Sequence, residues 1–174
     1  MNVEVIAESP FFAALLFLAA LLVYAITVKR LTVFSFVLLG LTLLEVIHLG
    51  IEHYFWYIYT SYADYSIIYF LWYAGFAATD ILFVYFLVQI SRTLKVPLDW
   101  VSSFVMYVYL ILGIVQVARY LDRFIFETNY LVTMYTDGIP IVNMVLSTVV
   151  FGFVVFEVIR NAIRILNIRQ TRVG

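Results

Sequence analysis

Cysteine is missing from the chain altogether. Without it there can be no disulfide, no thiolate metal site and no thiol redox chemistry. Proline and glycine are sparse as well, three and seven in 174 residues. That leaves no linker or low-complexity stretch, and no internal repeat emerges. Charge is the most telling shortage. Lys and Arg number 10 and Asp and Glu 11, so that 12% of residues are charged, against about 25% in a soluble domain. So few charges cannot cover a surface that faces water, so most of the exterior must face lipid. Basic residues are also missing from the start of the chain. The first ten residues hold Glu4 and Glu8 but no Lys or Arg, whereas a secretory signal opens on a basic region.

What the chain does contain is apolar: 66% of its residues are hydrophobic and 19% aromatic. A helix needs about 20 mostly apolar residues, rising about 1.5 Å each, to cross a hydrocarbon core about 30 Å thick. Five segments meet that need, at 10–28, 31–52, 66–90, 98–120 and 139–159. Ser9-Pro10 has the form of an N-cap followed by a proline at the first helical position. Asp137-Gly138 and Pro140 open the fifth segment. The fold class expected is therefore all-α: a single-domain, polytopic integral membrane bundle of about five transmembrane helices.

The distribution of charge sets its expected orientation. Lys29 and Arg30 lie between spans one and two, Arg92 and Lys95 between three and four, and Arg160, Arg164, Arg169 and Arg172 after the fifth. All eight fall on one side if five helices alternate, and cytoplasmic loops are the ones enriched in Lys and Arg. Arg119 and Arg123 fall on the opposite side, with Glu4, Glu8, Asp64, Asp122, Glu127 and Asp137. The reading is N-terminus out and C-terminus in, with 160–174 a basic cytoplasmic tail, in a plasma or inner membrane. Tyr54, Trp56, Tyr57, Tyr59, Tyr62, Tyr65, Tyr69, Trp72 and Tyr73 crowd the turn between spans two and three, as an interfacial aromatic belt does. Residues 122–136, too short to span and rich in aromatics, are expected to lie on the outer interface.

Charged groups inside a bilayer cost about +2.5 to +3.5 kcal/mol each at a helix centre. They face protein or water, and they mark candidate sites. Span two carries Glu45, His48, Glu52 and His53. The first three fall at i, i+3 and i+7 on one face, descending from an outer edge placed near Glu52. Span four carries Gln116 and Arg119, with Glu52 the expected partner of Arg119 and Glu45 the next. Asp80 on span three is expected in the inner half, apart from Glu45, against a neighbouring helix that the small residues Ala74, Gly75, Ala77 and Ala78 allow to come close. Glu157 and Asn143 read as an edge group and as interhelical glue.

Three uses of the cluster compete. Carboxylates with a histidine can bind or pass a proton or cation. Glu45-x-x-His48 places two metal ligands on one face, as in di-metal bundles, although such bundles use two such motifs. A satisfied polar network can also simply fix helix register. No hydrolase, zinc-protease or phosphate-loop motif is present, so neither enzymatic activity nor a cofactor is expected. The arginines at 160, 164, 169 and 172 suit an anionic lipid surface or a topology anchor. The partners expected are the bilayer itself and either further copies of the chain or another membrane protein, not nucleic acid. The reading adopted is a small multi-pass membrane protein whose outer Glu/His/Arg cluster senses, binds or conducts a cation or proton. The alternative is a non-catalytic scaffold or sensor subunit acting through helix contacts.

Overall fold

The computed structural model describes residues 3–29, 31–61 and 65–173, with side chains over 11, 13–29, 31–58 and 66–165. Arg30, Tyr62 and Asp64 lie outside the described residues, as do the side chains of Glu4, Glu8, Tyr59, Tyr65, Arg169 and Arg172. Five helices follow one another: α1 (Val3–Val28), α2 (Val33–Ser61), α3 (Tyr65–Leu94), α4 (Trp100–Tyr120) and α5 (Ile139–Val173). Among the described residues there is no strand. The segments Val33–Ile58, Ser66–Leu94, Trp100–Ile125 and Met134–Ile165 are long and apolar enough to cross a membrane, and α1 contributes a shorter apolar stretch, Ala13–Val28. The molecule is a helical membrane bundle.

Several boundaries differ from those read in the sequence, each for a local reason. α1 begins at Val3, so Ser9-Pro10 lies inside the helix rather than at its start. Pro10 has no N–H to donate, and the helix forgoes one backbone bond there. α2 runs beyond Glu52 to Ser61, because Tyr54 to Tyr59 include neither glycine nor proline to stop it. α4 starts after Pro97 and Leu98, where Asp99 caps it: its carboxylate accepts from the Ser102 backbone N–H at 2.8 Å and the Ser102 hydroxyl at 2.9 Å. At the head of α2, Thr32 and Ser35 cap reciprocally, each side-chain oxygen accepting from the other's backbone N–H at 3.2 and 3.1 Å. The basic stretch after residue 159 continues α5 as a helix.

Residues 122–136 begin and end in helix, and Ile125, Phe126, Tyr130 and Met134 are exposed among them. α4 widens into a π turn, Leu121–Ile125, and a second π turn, Met134–Gly138, leads into α5, so only a short non-helical loop separates the two. Three turns open with a non-glycine residue at positive φ: Lys29 (52°), Lys95 (53°) and Glu127 (53°). The left-handed region costs an L-residue about 1–2 kcal/mol.

Consecutive helices pack side by side, α3 against α4 most extensively, and α5 closes the bundle against α1 and α4. One end holds the start of the chain, the α2–α3 turn and the α4–α5 loop; it is called the N-terminal end below. The opposite, C-terminal end holds the other two turns. Between the bundle's middle and the C-terminal end the core is dense. Val37, Leu38 and Leu41 of α2, Leu87 of α3, and Val101 and Val105 of α4 are wholly buried. Phe17 and Tyr24 of α1 and Val150 and Val154 of α5 complete it. Helices α2 and α3 approach so closely that a Cβ on Gly40 would stand 2.7 Å from Cε2 of Phe83.

Candidate functional site

Glu45 and His48 lie mid-way along α2, on the face turned inward. Because α2 runs on to Ser61, Glu45 sits about 24 Å from that end of the helix. Asp80 sits about 22 Å from the start of α3. The two acids are therefore level, and Asp80 joins the cluster instead of lying below it. Were α2 to end at Glu52, as its apolar run suggests, Glu45 would stand more than two turns nearer that end.

Asp80 is 2% exposed, Glu45 6% and His48 9%. Nε2 of His48 lies 3.0 Å from the Thr79 hydroxyl oxygen and 3.5 Å from Oδ1 of Asp80. The Thr79 hydroxyl donates back to the carbonyls of Gly75 or Phe76, at 3.0 and 2.9 Å. When its proton goes to either carbonyl, its oxygen is left to accept from Nε2 of His48. The ring of Phe76 leans on the imidazole at 4.8 Å. Across the bundle, the Tyr109 hydroxyl of α4 donates to Oε1 of Glu45 at 2.9 Å, and the edge of Phe83 packs on Tyr109 at 4.9 Å. Among the described residues Oδ1 of Asp80 receives no hydrogen bond. Gly113 on α4 lies directly opposite, where a Cβ would stand 3.4 Å from that of Asp80.

Two carboxylates thus share a buried interface of three helices with one imidazole. Among the described residues no Lys or Arg pairs with either acid. An uncompensated buried charge costs several kcal/mol after relaxation, so this group requires a proton or a cation to balance it. Glu45 and His48 do not converge on a shared point, since Glu45 turns to α4 and His48 to α3. Among the described residues no set of three or more His, Asp or Glu is placed to hold a metal ion.

Comparison of the chain with protein-family models, with curated proteins and with solved structures finds no match.

The remaining candidates lie elsewhere. Glu52 is half-buried and His53 exposed, both little more than one turn beyond His48 towards the N-terminal end. Arg119 does not pair with Glu52. Its Nη1 donates to Oδ2 of Asp122 at 2.5 Å and its Nη2 to Oδ1 of Asn129 at 3.2 Å. The π turn swings Asp122 under the guanidinium, satisfying Arg119 from within its own segment. Asp122 also accepts from the Thr128 hydroxyl at 2.5 Å and from the backbone N–H of Tyr130 and Leu131 at 3.2 and 3.1 Å. This is a clasp that folds the α4–α5 loop, with no acceptor left for a ligand. Gln116 lies against Tyr135, whose hydroxyl accepts from Nε1 of Trp72 at 3.2 Å, while Oε1 of Gln116 finds no donor. The guanidinium of Arg123 sits 4.2 Å over the Tyr69 ring and 5.3 Å from that of Phe124. At the other end Arg160 is exposed and pairs with Glu157 at 2.8 Å, and Arg164 is exposed.

Sequence reasoning missed Thr79, Tyr109, Asn129 and Tyr135. All are neutral and unremarkable in a chain with 14 tyrosines. The one signal for Tyr109 is its phenol in mid-span, far from any belt, where a buried hydroxyl has to find a partner.

Proposed function

We propose that this small membrane protein binds a proton or a small monovalent cation at the Asp80 carboxylate, with His48 beside it and Glu45 buried at the same helix interface. The observation that carries the reading is the Asp80 carboxylate, almost wholly buried, with one oxygen that accepts no hydrogen bond and only His48 beside it, no Lys or Arg among the described residues being paired with it. The dense packing of Val37, Leu38, Leu41, Val101 and Val105 on one side, against half-buried Glu52 on the other, favours binding or sensing from the N-terminal end over conduction through one copy. On this reading the N-terminal end faces outward from a plasma or inner membrane, and the bilayer is the first partner. Further copies or another membrane protein would receive the signal.

A second reading has its own support, in that each hydrogen bond at the site leaving its own helix joins a neighbouring one. Such a network can serve only to lock helix register in a scaffold or sensor subunit. Thermal unfolding across a pH series, in sodium and in a bulky organic cation, separates the two. If the site binds, the midpoint of the wild type responds to proton or sodium concentration, and Asp80→Asn and Glu45→Gln flatten that response while remaining folded. If both variants only lower the midpoint and respond in parallel with the wild type, the binding reading is abandoned for the register lock.

A further inference from the structure

At the C-terminal end a cleft of about 260 Å³ opens between α1 and α2, lined by Leu21, Tyr24, Ala25, Lys29, Leu31, Ser35, Phe36 and Leu39. Its walls are apolar along its length. From Leu31 to Leu39 it extends about 12 Å along the helix axis, parallel to the direction in which lipid chains run. Its polar groups gather at the mouth. Lys29 is exposed there, and among the described residues it has no ion-pair partner. The Tyr24 hydroxyl is already bonded to that of Thr32 at 3.0 Å. The amide of Asn161 donates to the Thr27 carbonyl at 2.7 Å, which ties α5 to the last turn of α1; Glu157, Asp99 and Arg160 all come within electrostatic range of Tyr24, Arg160 being paired with Glu157.

Lys29 holds its position at a cost. It adopts φ of 52°, a conformation that glycine would adopt freely. A greasy slot ending in a free cation at the level of the headgroups is complementary to one molecule of the membrane itself, since basic sites beside transmembrane helices select anionic headgroups. We propose that this cleft binds one acyl chain of an anionic phospholipid, whose phosphate is held by Lys29. The site is distinct from the buried acids of α2 and α3, and it stands whether or not they bind an ion.

The test is native mass spectrometry of the detergent-solubilised chain with phosphatidylglycerol or phosphatidylcholine of identical acyl chains. The wild type should retain phosphatidylglycerol in preference. Lys29→Asn removes the charge and suits a left-handed backbone. It should lower that preference about fivefold, the loss of one lysine–headgroup attraction. Ala25→Phe should fill the slot and weaken both lipids, and Lys95→Asn, at the other turn of the same end, should leave the preference unchanged. Equal retention of the two lipids by the wild type overturns the proposal. So does an undiminished preference in Lys29→Asn, or equal binding of glycerol phosphate, which has the headgroup but no chain.

Discussion

Tyr109 decides how Glu45 is held. It is 1% exposed and its hydroxyl is the donor that faces this carboxylate across the bundle. Replacing it by phenylalanine leaves the ring packed on Phe83 but strips the acid of its bond. Hydrogen bonds to charged groups contribute about 1.5–3 kcal/mol. Tyr109→Phe should therefore lower unfolding free energy by about that amount, and Glu45→Gln, which keeps an acceptor for the phenol, by less. Equal losses in a denaturant titration would mean that the hydroxyl contributes nothing specific. The acids and the histidine were legible in the sequence, because charge in an apolar run is conspicuous. Their partners were not, because a threonine or tyrosine in such a run is common and carries no mark of what it faces. Arg119 shows the converse. Its need for a carboxylate was foreseen, yet the choice of Asp122 depended on a π turn that no residue pattern announces.

Helix number and most of each span were likewise legible, because hydrocarbon thickness fixes the length an apolar helix must have. Ends were not. Beyond Glu52 the chain turns to tyrosine and tryptophan, which suit a helix and an interface equally, and misplacing that end displaced Asp80 from its true neighbours. Where helices approach, two glycines make opposite demands. At Gly40 a methyl group would stand 2.7 Å from the buried ring of Phe83, itself wedged edge-to-face with Tyr109, whereas at Gly113 its nearest contacts are 3.4 Å away. Gly40→Ala should destabilise the bundle by about 1–3 kcal/mol through overpacking. Gly113→Ala should leave it unchanged or add about 0.5–1 kcal/mol through lost backbone freedom in the unfolded chain. A shared sign in the two unfolding midpoints would contradict the packing described between α2, α3 and α4.

For the molecule as a whole, the absence of cysteine permits a direct test of topology. Single cysteines placed at Lys95 and at Glu127, both exposed, should react with a membrane-impermeant maleimide from opposite faces of sealed vesicles, and one at Lys29 from the same face as Lys95. Labelling of Lys95 and Glu127 from one face would mean that α4 does not cross. The left-handed turns carry one more implication. Lysine opens two of them at one end and glutamate the third at the other, so neither end can sink into oil without dragging an ion along. Each hairpin would thus be moored as it threads into the bilayer, and the molecule's up and down would be decided during synthesis, before the helices have found one another.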